Sequence, residues 1–389
     1  LKGLGLVLSG GGSKGIFQIG AWRAFRELDV KFSAIAGTSI GAVNGALMLG
    51  TDYELALEMW LNLEMNQCLA FSQQRDLKSN DLLSLKNANF LAKELFSQRR
   101  LNSQPFRDLL NRYVFEANVR ASKVRYGLMT TQVPDFRGKR FWIDQIPEGQ
   151  LVEYIMASSR LPILEPVVID GQNFMDGGLV ENVPVSMLRR EGFRRIITID
   201  LENKPAARNQ LDDNTQMIFI HDRQELGGFL DITSAVLQRN LQLGYLDTMK
   251  AMGRLNGEYY TFTHPEYQKM LNRFGYENTC GLEQAALIYE MDRCKIYTAR
   301  DFTDSIKKNR AEIQKLYEQK RQSLNIDNKL SALAGGRLKV LNLLPPLRLA
   351  FLIEARANAF SNGYTPKFSI RLFNTVDAAA TALSALPEE

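Results

Sequence analysis

The sequence predicts an α/β fold: a three-layer sandwich in which helices cover both faces of a mostly parallel central sheet, plus a C-terminal helical subdomain. Three observations carry that prediction. Short apolar runs of strand length alternate with longer stretches whose apolar residues recur at helical spacing, the pattern of parallel strands joined by crossover helices. Glycine-rich turns follow the first two apolar runs, where a strand hands the chain to a loop. Beyond about residue 265 strand-like runs become few and helical patterns dominate. The expected organisation is therefore an α/β domain over 1–264 and a helical cap or subdomain over 265–389.

A first strand is read at Gly5–Leu8, and the glycine loop leads into a helix from about Gly15 to Leu28, with Ile16, Ile19, Trp22 and Phe25 on one stripe. The second strand, "FSAIAG", ends at Gly37, and a helix begins just past Ser39. Tyr53 to about Asn118 reads as helical with polar breaks. "YGLMTTQV" and "KRFWIDQ" read as strands, and "VVIDGQNFM" as a tight hairpin around Asp170-Gly171, a favoured two-residue turn. A helix near Val183–Arg190, with Asn182 as its capping candidate, leads to the strand "RRIITIDL", and "MIFI" precedes His221. "LEQAALIYEMDRCKIY" and "DFTDSIKKNRAEIQKLYEQKRQ" are helical, and the stripe through Leu282, Ala285 and Ile288 must be buried. These tail helices are expected to gate or shape a pocket rather than to supply chemistry.

With 389 residues, 45% hydrophobic and 23% charged, the chain can bury a large core, and disordered and fibrous classes are excluded. The three cysteines, Cys68, Cys280 and Cys294, are odd in number and lack C-x-x-C pairing, so neither a disulfide framework nor a zinc site is suggested. With only two histidines, His221 and His264, no metal cluster of soft ligands can be assembled. Carboxylate metal sites stay open on composition, and the chemistry read below requires no metal. Phe32–Thr51 carries no charge, but Gly37, Thr38, Ser39, Gly41, Asn44 and Gly45 break it, and Pro345, Pro346 and Arg348 break "LNLLPPLRLAFLI". Neither a transmembrane helix nor a signal peptide is read, and a reducing, cytoplasmic setting is the expectation. Net charge is +5, yet Arg99–Arg140 alone holds ten basic residues against three acidic ones. That segment is expected to lie against anionic membrane surfaces, with a plain solvated face as the alternative and no nucleic-acid role.

The loop "LVLSGGGSKG" admits two readings. Gly10, Gly12 and Gly15 fit G-x-G-x-x-G, the phosphate cradle of a dinucleotide fold, whereas the same bare N–H groups suit an oxyanion hole. "GTSIG" sits between an apolar strand and a helix, which is the setting of a nucleophile elbow: Ser39 on a strained turn, with Gly37 and Gly41 allowing close backbone approach. A serine needs a base. Neither His221 nor His264 lies in a glycine-bounded turn, whereas Asp176 in "MDGGLVENVP" is followed by Gly177 and Gly178.

Taken in order, "GGGSKG", "GTSIG" and "DGG" resemble the patatin-like phospholipase family. The resemblance extends through "ASSRLPILEPVVIDGQNFMDGGLVENVP" and "LGYLDTMKAMGRLNGEYY" and covers about two-thirds of the chain. It implies a serine–aspartate dyad, Ser39 with Asp176, and an oxyanion hole at Gly10, Gly11 and Gly12, with Lys14 and Gly15 completing the loop motif. It further implies a phospholipid or other acyl-lipid substrate and no cofactor. Arg160 departs from the small residue usual in the "ASS-x-LP" stretch. A thioesterase or acyltransferase on the same dyad, or a catalytically silent membrane-binding scaffold, are the alternatives.

The dinucleotide reading fails on a missing residue. It needs a carboxylate for the ribose at the end of the second strand, about twenty residues past the glycines. Here that strand ends in Ala36 and Gly37 and runs straight into Ser39. Neighbouring parallel strands deliver their loops to the same sheet edge, so the glycine loop is expected beside Ser39.

Overall fold

The computed structural model describes residues 2–68, 102–161, 164–202, 214–324, 346–361 and 374–386. The chain divides into two compact units, Leu1–Ala251 and Met252–Glu389. The division falls ahead of the expected 264, because Thr261–Phe262 pairs with Ile296–Tyr297 and so ties residues before 264 to the second unit.

In the first unit β1 (Leu4–Leu8) leads through a 3-10 turn (Gly12–Gly15) into α1 (Ile16–Glu27), and β2 (Ala34–Thr38) runs by way of Ser39 into α2 (Ile40–Gly50). After α3 (Tyr53–Leu61), α4 (Met65–Cys68), α5 (Gln104–Tyr113) and α6 (Glu116–Ala121) come β3 (Arg125–Val133) and β4 (Arg137–Trp142). Of the stretch read as helical between Tyr53 and Asn118, 69–101 lie outside the described residues. Next come α7 (Leu151–Ser158), the hairpin β5 (Val167–Ile169) and β6 (Gln172–Asp176), and the short helices α8 (Gly178–Glu181) and α9 (Val185–Arg190). The unit ends with β7 (Arg195–Ile199), β8 (Gln216–Ile220) and α10 (Ser234–Ala251).

Strands β3, β2, β1, β7 and β8 are parallel neighbours in that order, while β4, β6 and β5 add antiparallel pairings. The inner strands β1 and β2 are almost wholly buried, as a parallel sheet covered on both faces requires. One face packs Ile16, Val43, Leu47, Trp60 and Ile155; the other packs Val7, Ala36, Trp142, Val185 and Leu188. The Asp170-Gly171 hairpin forms as expected, both residues having positive φ (50° and 74°). Asn182 does not cap the helix at Val183: it terminates α8, and Pro184 takes the N-cap position of α9. Helix α10 lies against α1 at bare backbone, since a β-carbon on Gly20 or Gly244 would strike the carbonyl of Leu241 or Phe17.

The second unit holds β9 (Thr261–Phe262), α11 (His264–Ile288), β10 (Ile296–Tyr297), α12 (Ala299–Leu324), α13 (Pro346–Ser361) and α14 (Asn374–Ser384). Helix α11 kinks at Gly275, whose φ is 74°. Tyr260, Phe262, Tyr297 and Phe302 form its aromatic core, with ring centroids 5.0 to 6.3 Å apart. Among the described residues no helix is long and apolar enough to cross a membrane.

Candidate active site

Strand β3 has only two edges, and β4 occupies one of them along Gly127–Gln132. Strands β2 and β6 must therefore share the other. They run towards each other along it: Thr38 of β2 pairs with Met129, and Asp176 of β6 with the next residue, Thr130. Ser39 and Asp176 are delivered end to end by this register. The topology alone brings together two residues separated by more than 130 positions.

Ser39 has φ 54° and ψ −124°, outside the conformations that L-residues favour, at a cost of about 1–3 kcal/mol. The turn closes only on bare backbone. A β-carbon on Gly37 would be driven into the Gly41 carbonyl, and one on Gly41 into the Leu8 carbonyl. The Ser39 N–H donates to Ser158 Oγ (2.9 Å), whose own hydroxyl donates to the Met129 carbonyl (2.7 Å). The same seam holds the aspartate: Asp176 N–H donates to the Arg160 carbonyl (2.8 Å) and Gly177 N–H to the Ser158 carbonyl (3.3 Å). Gly177 must be glycine here, because a β-carbon would collide with the Met129 carbonyl.

The Asp176 carboxylate is 8% exposed. It accepts the Gly178 N–H at Oδ1 (2.7 Å) and lies close enough to the Ser39 hydroxyl for that group to lower its pKa. Burial pushes its pKa up to about 6; Ser39 and Gly178 act against that rise, and the charge of Glu202 adds to it.

The glycine loop lies beside Ser39, as the parallel pairing of β1 and β2 demands. Its donors are not all free. Gly10 N–H is committed to the Asn182 carbonyl (3.3 Å) and Ser13 N–H to the Phe229 carbonyl (2.8 Å), whereas Gly11 and Gly12 N–H have no acceptor among the described residues. Gly10, expected as an oxyanion donor, instead makes room: a β-carbon there would lie 2.5 Å from Asn182 Oδ1 and 3.1 Å from Ser39 Cβ. Gly12 turns the chain with φ 61°. Gly15 abuts Ile40 and Trp60, and its carbonyl accepts from Asn44 of α2 (2.9 Å), which tethers the loop to the helix that starts at Ser39. Lys14 stands on the same turn and lines neither cavity described next.

Two cavities meet at Ser39. One of about 250 Å³ is bounded by Gly10, Gly11, Asp176, Asn182 and Glu202, with Leu179 beside them, and is the more polar of the two. The other, about 110 Å³, is apolar, walled by Ile40, Trp60, Leu63, Phe106, Leu164 and Ile232 among others. Leu161 and Phe229 border both. Neither histidine lines either one. His221 follows β8, and His264, in the second unit, is held by Gly253 O (3.0 Å) and Asn256 (2.8 Å). Ser158 and Asn44 were not anticipated as site residues. Ser158 lies within the "ASSRLP" stretch, but its bond to Ser39 crosses 119 positions and leaves no local trace.

Residues 6–189 match the family model described as patatin-like phospholipase. A patatin-like phospholipase domain-containing protein of Caenorhabditis elegans is 27% identical over 208 residues, which are 51% of this chain and 13% of that one. A lysophospholipase of Chaetomium globosum is 28% identical over 235 residues, 56% of this chain and 13% of the relative. The chain thus spans a small part of these curated relatives. Among solved structures, VipD from Legionella pneumophila aligns over 100% of this chain and 89% of its own with 17% identity and a TM-score of 0.41.

Proposed function

We propose, from the match of residues 6–189 to the patatin-like phospholipase family model, that the chain is a lipid acyl hydrolase working through Ser39 and Asp176. Ser39 Oγ attacks the ester carbonyl while its proton passes to Asp176. The carbonyl oxygen becomes an oxyanion facing the Gly11 and Gly12 N–H groups, each such donor being worth about 2.7–4 kcal/mol in related chemistry. On collapse Asp176 returns the proton to the departing alkoxide, leaving an acyl-serine. Water, giving its proton to Asp176, then releases the fatty acid and restores Ser39.

The observation that carries this reading is the Ser39 hydroxyl set beside a buried carboxylate, delivered there by the register of β2 and β6 along β3, where an apolar cavity joins a more polar one. The acyl chain fits the apolar side and the ester and headgroup the polar one. The test is product analysis by mass spectrometry on a mixed lipid panel, with Ser39→Ala alongside. Release of fatty acid by the wild type and its loss in the variant are expected; equal release by both would remove Ser39 from the mechanism.

Membrane contact belongs to the same proposal, in a narrower form than the Arg99–Arg140 segment suggests. Arg107, Arg120, Arg125 and Arg140 are engaged by Glu153, Glu116, Asp144 with Glu191, and Glu181, respectively. Arg99 and Arg100 lie outside the described residues. The exposed basic residues are Arg112, Lys123, Arg137, which is paired with Asp135 (3.7 Å), and Lys139; the last two flank the β3–β4 turn, where Phe136 is 60% exposed, and Leu179 and Val180 on α8 are exposed as well. A basic residue at an anionic surface contributes about 1 kcal/mol, screened by salt. Sedimentation with vesicles should weaken for Phe136→Ser with Arg137→Gln; binding indifferent to these changes and to ionic strength would exclude this contact.

A further inference from the structure

Arg160 is 6% exposed, an unusual place for a guanidinium, and it stands where the family resemblance led us to expect a small residue. Its side chain is spent on backbone carbonyls. Nε donates to the Glu165 carbonyl (3.0 Å), Nη2 to that of Leu164 (3.2 Å) and Nη1 to that of Phe174 (3.4 Å). Its own carbonyl accepts the Asp176 N–H. Arg160 therefore grips β6 at two points, Phe174 and Asp176, the second being the candidate base itself. It also grips Leu164, a wall of the apolar cavity, and follows directly on Ser158 and Ser159 at the end of α7, where the Ser158 hydroxyl holds the Ser39 N–H.

Only a planar fork with several donors can reach three carbonyls on two separate segments; an ammonium is a point donor on a flexible stem. We propose that Arg160 is a positioning residue that couples the wall of the acyl cavity to the placement of Asp176, so that it sets both turnover and acyl-chain preference. This rests on the Ser39–Asp176 reading above. The coupling follows from the geometry. If Leu164 shifts to accommodate a chain, the strain passes through one rigid guanidinium to the strand that ends in Asp176. A small residue at this position would leave wall and strand independent.

The experiment compares wild type with Arg160→Lys and Arg160→Met on chromogenic esters of short, medium and long acyl chains, with kcat and KM measured for each and thermal midpoints recorded. Ser39→Ala is run in parallel. Arg160→Met is expected to lower kcat by about tenfold or more with a smaller change in KM and to flatten the chain-length profile. Arg160→Lys should recover stability better than it recovers the profile. If either variant, folded at the assay temperature, keeps both the wild-type kcat and the wild-type profile, the coupling role is overturned, and Arg160 is merely a packed cation. A folded Arg160→Lys also decides the matter where Arg160→Met does not fold. Failure of the underlying dyad reading would appear separately, as activity persisting in Ser39→Ala.

Discussion

Asp176 in the first unit and Glu354 in the second are both carboxylates withdrawn from water, 8% and 0% exposed, and they are held in different ways. Glu354 receives the Arg310 guanidinium at both oxygens (3.1 and 3.3 Å), the Tyr289 hydroxyl (2.9 Å) and the Gln314 amide (3.1 Å). The Asp176 carboxylate receives one N–H, that of Gly178, and stands beside the Ser39 hydroxyl, with no cation in hydrogen-bond contact among the described residues. Glu283 of the second unit is held by backbone instead, with the N–H groups of Glu258, Tyr259 and Tyr260 converging on one oxygen. A fully ligated buried anion is part of a fold. A sparsely ligated one, facing a hydroxyl in a cavity, is free to take a proton from it.

Exchanging each carboxylate for its amide tests this contrast most severely. Asp176→Asn removes the proposed base while keeping the shape, and kcat should fall by about 10³-fold or more. Glu354 lines neither cavity at Ser39, so Glu354→Gln should leave kcat within about threefold at temperatures where the protein stays folded. Its cost lies in stability. Leaving Arg310 without its partner in a buried setting should destabilise the second unit by about 3 kcal/mol, read from denaturant titration. Two units rule out assuming a single transition, so each is followed by its own probe. Loss of activity in Glu354→Gln matching that of Asp176→Asn would erase the distinction.

The next effect is smaller and follows from the acidity of Asp176 alone. Asp176 has a pKa of about 6 in the folded state against an ordinary 3.8, raised chiefly by burial. The folded state therefore binds the proton more tightly than the unfolded chain does. Stability contributed by protonated Asp176 is present below about pH 4 and is lost as pH rises from there through about 6. At neutral pH the ionised group costs up to about 3 kcal/mol, from roughly two units at about 1.4 kcal/mol each. Asp176→Asn should thus unfold at a higher temperature than wild type at pH 7, and the gain should shrink towards pH 4. The rate has the opposite dependence, since kcat/KM requires the ionised base and should fall below an acid limb near pH 6. A limb near 4 would mean that water reaches Asp176 in the working enzyme.

The halves of the site differed in how much of them the sequence carried. Gly37, Ser39 and Gly41 were legible because an elbow is local: a strand end, two bare residues and a helix start lie within a few positions. Asp176 was legible through the Gly177 and Gly178 that follow it. Ser158 and Asn44 were not, because they act through hydrogen bonds to segments distant in the chain. Gly10 was assigned as a donor because sequence gives residue types and not the acceptor at Asn182, which appears only once α8 is placed against the loop. The parallel core of the sheet was readable from apolar runs. The collinearity of β2 and β6 along β3 was not, since register between distant strands has no signature in either of them.

The smallest expected effect concerns the histidines, and it completes the comparison by asking whether Asp176 acts without an intermediary. A histidine is the more usual partner of a serine because its ordinary pKa of about 6.5 suits neutral pH, whereas an aspartate in water is too weak a base. Burial lifts Asp176 into that same range, so the chemical reason for a histidine disappears. Geometry agrees: neither His221 nor His264 borders a cavity at Ser39, and His264 is already held by Gly253 and Asn256 within the second unit. His221→Ala and His264→Ala should each keep kcat within about threefold of wild type, with the acid limb unmoved. A folded histidine variant that loses ester hydrolysis as completely as Ser39→Ala would place an imidazole between Ser39 and the carboxylate. Asp176 would then orient that ring, and its sparse ligation would need another explanation.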